Sequence, residues 1–365
     1  MKICVINSLY PPFVRGGAEV VAQEDVARHR AKGDDVFVIT VKPWGGWRSL
    51  CARLENQQGV RVYRFYPLNI FSFITIDRHS WLTRIVWHFM DFFNLQSYFC
   101  IKKILQKEQP DLVVSHNVKG LGYLTWSAIR HSGCRYQQVM HDVQLAVPSG
   151  LLHWGQEKKL SGSVYRLYAA LCRRLIGSPG EVICPSQWLM DFYTSRGFFP
   201  RSKKTVSVAF GALPPITPLS VPPNLDTLRL VYVGQMAAHK GIEWLIHALQ
   251  EGLRVQWTLD IVGDGPRLGA VQTLAAADSR LRVHGRLDGA ARDEVIRAGQ
   301  ITVVPSLVYE NSPTIIPFSL SLGRPVLAAT IGGIPEMIAP GVNGWLFRPG
   351  DKNDFLRCLI QMISG

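Results

Sequence analysis

The chain has 365 residues, 47% hydrophobic and 18% charged, with 32 Gly and 22 Pro spread along its length. That exceeds one ordinary core, fits two domains, and excludes disordered and collagen-like chains. The net charge of +13 is uneven: residues 1–220 carry 27 Lys and Arg against 14 Asp and Glu, while residues 221–365 carry 13 of each.

Short β-branched runs predict strands at Ile3–Ile6, Val36–Val41, Val60–Phe65, Leu112–Val114, Gln138–Met140, Val182–Cys184 and Val206–Ala209. Between the first two, Ala18, Val21, Ala22 and Val26 recur at helical spacing and Gly33 supplies a stop. That rhythm implies parallel pairing with right-handed crossovers. Residues 212–226 then read ALPPITPLSVPPNLD, where prolines 214, 215, 218, 222 and 223 exclude a helix and an interior strand. We take this segment as a linker between an N-terminal domain (1–211) and a C-terminal domain (227–365). After it the rhythm resumes, with strands expected at Leu230–Val233, Leu259–Val262, Leu281–His284, Ile301–Val304, Pro325–Ala329 and Trp345–Phe347, and a helix over Ile242–Leu249. The fold class is α/β, two Rossmann-like wound domains, and such sheets bind ligands at the carboxyl ends of their strands, here in a cleft between the domains.

The chemistry is carried by loops at those ends. Gly16 and Gly17 stand where the first strand becomes the first helix, a place where backbone amides approach an anion; a plain tight turn would read the same. In VYVGQMAAHKGIEWLI, Lys240 and Gly241 open a helix, and the lysine adds a full charge to the helix end, which suits a diphosphate leaving group; a solvated lysine would read the same. IVGDGPRL places Gly265 in a turn at the sheet edge. The most specific stretch is VVPSLVYENSPTIIPFSLSLGRPVLAATIGGIPEMI. Its polar loop carries Glu310, which can accept hydrogen bonds from sugar hydroxyls. Asn311, Ser312, Pro313 and Thr314 follow into a helix start whose amides can hold phosphate.

The order GGAE, HD, GQ-x4-KG, GDGP, PS-x3-EN-x-P, GRPV and GGIPE resembles the retaining glycosyltransferases of family 4, which have the GT-B fold and use donors such as UDP- or GDP-sugars. The resemblance runs from Met1 to about Ile360. It implies hexosyl transfer with the donor held mainly by the second domain and the acceptor by the first. Gly17 and Lys240 would meet the diphosphate, Glu310 the donor sugar, and His141, in QVMHD, the sugar and acceptor, with Asp142 as an orienting partner. His141 could equally be a structural histidine at a strand end. Two positions depart from the pattern: the phosphate-binding arginine is Gln235, and the second glutamate of E-x7-E, which holds the ribose, is Phe318.

No D-x-D pair and no His/Cys/Asp cluster at ligand spacing occurs in the sequence, so neither metal nor other cofactor is expected. Diphosphate charge would fall to Lys240 and helix amides. Two stretches interleave basic with apolar residues: 158–174, with Lys158, Lys159, Arg166, Arg173 and Arg174, and 78–103, with Trp81, Trp87 and Phe89. Both read either as interfacial membrane-binding segments or as helices with buried apolar faces. An anionic membrane surface and a lipid-linked or glycan acceptor are the expected partners, in cell-envelope polysaccharide or glycolipid synthesis. No nucleic-acid module accompanies the charge. Seven scattered cysteines and an N-terminus that runs straight into a strand favour a cytoplasmic location, peripheral to the inner face of the membrane. The competing reading, favoured by Gln235 and Phe318, is a catalytically weak binding subunit of the same fold.

Overall fold

The computed structural model describes residues 1–14, 16–207 and 227–364; the proline-rich segment 212–226 lies outside the described residues. The chain divides into two compact units. Residues 149–162 and 186–189 pack with the C-terminal unit, although the sequence places them within the first domain's span.

The first unit is built on an eight-stranded sheet of β1 (Lys2–Ile6), β2 (Asp35–Val41), β3 (Arg53–Gln57), β4 (Val60–Phe65), β5 (Leu112–Ser115), β6 (Arg135–Val139), β7 (Glu181–Cys184) and β8 (Lys203–Val206). The order is β3-β4-β2-β1-β5-β6-β7-β8. All neighbours are parallel except β3, which runs antiparallel to β4. Its helices are α1 (Gly17–Ala31), α2 (Trp81–Phe92), α3 (Leu95–Glu108), α4 (Thr125–Ser132) and α5 (Ser163–Ile176); α6 (Gln187–Thr194) precedes β8. Ala22 and Val26 of α1 pack on Ile3, Val5, Val36, Val38 and Val62, burying the stripe that the spacing predicts.

Two strand expectations are corrected, and one strand is new. β6 begins at Arg135 rather than Gln138, and β8 begins at Lys203 rather than Val206. Both start on polar residues, so hydropathy found only their apolar ends. β3 was not foreseen, because RLENQ is a largely exposed edge strand without an apolar face. Its signal was the Gln58–Gly59 pair, both at positive φ, closing a two-residue hairpin onto β4.

The second unit has a six-stranded parallel sheet of β9 (Leu228–Val233), β10 (Trp257–Val262), β11 (Leu281–Gly285), β12 (Ile301–Val304), β13 (Val326–Ala329) and β14 (Gly344–Phe347), in the order β11-β10-β9-β12-β13-β14. The helices are α7 (Ile242–Gly252), α8 (Leu268–Ala277), α9 (Gly289–Ala298), α10 (Ile315–Ser321) and α11 (Lys352–Ser364). Trp244, Phe347 and Phe355 meet at ring-centroid distances of 5.1–5.7 Å and join α7, β14 and α11. Each sheet reverses its winding beside its first strand, between β1 and β5 and between β9 and β12. Ligands bind at such switch points, and the loops carrying Gly16 and Gly17, Lys240, and Glu310 leave the sheets there, after β1, β9 and β12.

Candidate functional site

In the second unit the loops after β9 and β12 are bonded together, since the Leu307 amide donates to the His239 carbonyl at 2.9 Å. Lys240 closes a one-turn 3-10 helix (Ala238–Lys240), and Gly241 begins α7 from positive φ. A Cβ on Gly241 would meet the Pro305 carbonyl oxygen at 2.0 Å, so glycine is required for the two loops to approach. That approach brings Lys240 Nζ to 2.5 Å from Glu310 Oε1, which also accepts from Ser306 Oγ at 2.9 Å. Burial pushes the Glu310 carboxyl up, but the Lys240 ammonium more than offsets it and holds the group below the usual carboxylate range. Glu310 is therefore an anion oriented by two donors.

The Glu310 loop is braced from behind by the glycines of GGIPE, a role the sequence did not reveal. Gly333 donates its amide to the Glu310 carbonyl at 2.8 Å. A Cβ on Gly332 or Gly333 would meet the carbonyl oxygens of Glu310 and Asn311 at 2.0 and 2.1 Å. Asn311 is buried, and Ser312, Pro313 and Thr314 lead into α10. α10 begins one residue after Thr314 and lasts only seven residues, which limits the dipole at its N-terminal end.

Gln235, after β9, is exposed, and its carbonyl accepts from the Tyr232 hydroxyl at 2.8 Å. Gly265 has φ near 154°, and a Cβ there would meet the Met236 carbonyl oxygen at 2.5 Å. The Met236 amide in turn donates to the Asp264 carbonyl at 2.8 Å. Gly265 thus locks the GDGP turn onto the loop after β9. Phe318 lies in α10 with the Arg292 guanidinium 4.4 Å from its ring centroid.

In the first unit, Gly17 opens α1, and a Cβ there would meet nothing within 4 Å among the described residues. The Gly16 amide already donates to Glu19 Oε2 at 2.7 Å. The sequence reading missed Glu19, whose carboxylate occupies part of the helix end where an anion was expected. His141 follows β6, and His116 follows β5 on the adjacent strand. Their rings lie 3.0 Å apart, Nδ1 of His116 to Nε2 of His141. Asp142 Oδ1 accepts from the Gln144 amide at 2.8 Å. Burial holds both histidines down to about 3, with the Arg28 cation acting further on His116 and the His116 ring on His141. Both rings are neutral at physiological pH.

The basic stretch 158–174 is not one helix: a 3-10 turn (Glu157–Ser161) ends at Gly162 before α5 starts. On α5, Val164, Leu167 and Leu171 are exposed. Along 78–103, Trp87 is buried, while Trp81, Leu82, Ile85, Val86, Phe89, Phe93, Leu95 and Phe99 are exposed. Among the described residues no helix is long and apolar enough to cross a membrane.

Residues 227–365 match the family described as glycosyl transferases group 1, and residues 16–209 match the glycosyl transferase 4-like domain. A 42.6 kDa protein in the cps region of Klebsiella pneumoniae is 23% identical over 342 residues, covering 92% of this chain and 87% of that one. Sucrose-phosphate synthase from Thermosynechococcus elongatus superposes with a TM-score of 0.71 at 17% identity, over 100% of this chain and 90% of that chain. HepE from Anabaena, solved in complex with UDP, does so with a TM-score of 0.68 at 18% identity and the same coverage.

Proposed function

Since the chain belongs to the group 1 glycosyl transferases and has their GT-B fold, we propose that it transfers a hexosyl group from a nucleoside-diphosphate sugar to a lipid-linked or glycan acceptor in cell-envelope polysaccharide synthesis, with retention of anomeric configuration. The observation that carries this reading is the Lys240–Glu310–Ser306 cluster at the β9/β12 switch point. An entering diphosphate competes for the Lys240 ammonium and frees the Glu310 carboxylate to accept hydrogen bonds from the donor sugar. The acceptor hydroxyl attacks on the face from which the phosphate leaves, through an oxocarbenium-like state, and a phosphate oxygen takes its proton. Support for the donor class comes from Anabaena HepE, solved with UDP and with UDP-glucose. Support for the setting comes from the cps-region relative and from the lipopolysaccharide outer core galactosyltransferase WaaB, whose structure superposes with a TM-score of 0.65.

The reaction runs without a metal ion, the diphosphate charge being met by Lys240 and backbone amides. The protein works at the cytoplasmic face of an anionic membrane, docked through the apolar surface of α2 and its basic surroundings. The deciding experiment is calorimetry with UDP and GDP on the wild type and Lys240→Ala. Binding weakened at least tenfold in the variant, the loss of about one charge-assisted hydrogen bond, is the expected result. Equal binding removes the donor site from this cluster. Transfer should also persist in excess EDTA.

A further inference from the structure

His116 is buried at the carboxyl end of β5, with its ring between α1 and His141. Asp25 Oδ2 of α1 stands 3.1 Å from its Nε2, although among the described residues the buried Nε2 has no aligned hydrogen-bond partner. The other Asp25 oxygen meets the Arg28 guanidinium. On the far side, Nδ1 of His116 meets Nε2 of His141 at 3.0 Å. Three polar side chains from three elements thus form one line, Asp25–His116–His141, of which the sequence singled out only the last.

The line has a direction. A neutral imidazole carries one proton, and the nitrogen opposite it is an acceptor. A carboxylate beside Nε2 attracts an N–H dipole and repels a lone pair, strongly so in a buried site. His116 therefore holds its proton on Nε2, which leaves Nδ1 bare. The contact with His141 then requires His141 to donate from its own Nε2, and this leaves Nδ1 of His141 without a proton. We propose that Asp25, acting through His116, is a positioning residue that fixes His141 as a hydrogen-bond acceptor at Nδ1, so that His141 accepts a hydrogen bond from a hydroxyl of a bound sugar rather than donating one. This rests on the reading of His141 as a substrate-contacting residue of a glycosyltransferase. Asp142, next to His141, has its Oδ1 on the Gln144 amide, and Arg28 is paired with Asp25; neither reverses the direction.

The test is long-range proton–nitrogen correlation spectroscopy on the full chain labelled with ¹⁵N-histidine, His141 and His116 being assigned by loss of signal in His141→Gln and His116→Gln. The wild type should show both rings protonated at Nε2. In Asp25→Leu, which offers His116 no acceptor and leaves the Arg28 cation nearby, the His116 proton should move to Nδ1 and that of His141 should follow. Turnover should fall about tenfold, the cost of one reversed hydrogen bond, with the donor KM within about twofold. A wild-type His141 protonated at Nδ1, or one whose tautomer is the same in Asp25→Leu, overturns the proposal. The wild-type spectrum decides alone if the variant does not fold. If the tautomers are as stated but the wild type turns over no sugar nucleotide, the line stands and the glycosyltransferase reading of His141 fails.

Discussion

Phe318 stands where the resemblance puts a ribose-binding glutamate, and Arg292 of α9 covers its ring at 4.4 Å. A guanidinium over an aromatic face is worth about 0.5–2 kcal/mol, depending on desolvation. The guanidinium also holds the Asp293 carboxylate at 2.7 Å, so the position has been rebuilt as a packed contact. A carboxylate introduced there is claimed first by Arg292 and only then by a ribose. Phe318→Glu alone should therefore change UDP affinity by less than about threefold. Phe318→Glu with Arg292→Ala should tighten it about tenfold, the gain from one or two hydrogen bonds to a charged acceptor. Calorimetry with UDP measures both. Equal tightening in the single and double variants would show that Arg292 does not compete. No change in either variant would place the ribose elsewhere and favour the weak-binding subunit.

At the scale of elements, the last residue of α3 fastens that helix to two strands. Glu108 accepts from Lys2 of β1 and Arg61 of β4, each at 2.8 Å, and from the Tyr63 hydroxyl. Burial raises its carboxyl, but the bonds from Lys2, Tyr63 and Arg61 outweigh that and bring it down to about 2 from an ordinary 4.5. A depressed carboxylate stabilises the fold above its unfolded value and loses that contribution as pH falls through the folded one. Glu108→Gln should thus cost about 2 kcal/mol at neutral pH, after discounting for the part-exposed Lys2 and Arg61. The difference from wild type should shrink from about pH 4.5 and vanish near pH 2 in denaturant melts; a pH-independent difference would refute the linkage. Nothing in the sequence marked Glu108, because its partners lie 45 and more residues away. What was legible followed periodicity and turn chemistry: β4 and β12 fall at the expected bounds, and Lys240 at the entry to α7. What was not legible depends on tertiary approach: the polar starts of β6 and β8, the bracing of Glu310 by Gly332 and Gly333, and the pairing of His116 with His141.

At the scale of the molecule, the excess of positive charge lies in residues 1–220, and so do most of the exposed large hydrophobic residues among those described. Trp81 and Phe89 of α2 are 69% and 66% exposed, and Phe99 of α3 is 62% exposed. Clustered exposure of this kind marks an interaction surface, and aromatic rings flanked by Arg84, Lys102 and Lys103 suit the boundary between headgroups and acyl chains. The two contributions separate by salt. Attraction between the basic half and anionic lipid is screened beyond about 8 Å at physiological ionic strength, whereas burial of rings is not screened. The wild type should sediment with vesicles containing phosphatidylserine at low salt, bind phosphatidylcholine vesicles less, and keep part of its binding to the anionic vesicles at 0.5 M salt, where the Debye length has fallen to roughly 4 Å. Trp81→Ser with Phe89→Ser should abolish that salt-resistant part, since each ring contributes about 2 kcal/mol by burial, and leave the low-salt binding largely intact. Both rings are solvated, so the variant should melt within about 1 kcal/mol of wild type. Equal sedimentation with neutral and anionic vesicles would remove the electrostatic half of the argument, and salt-resistant binding unchanged in the double variant would remove α2 from the membrane-facing surface.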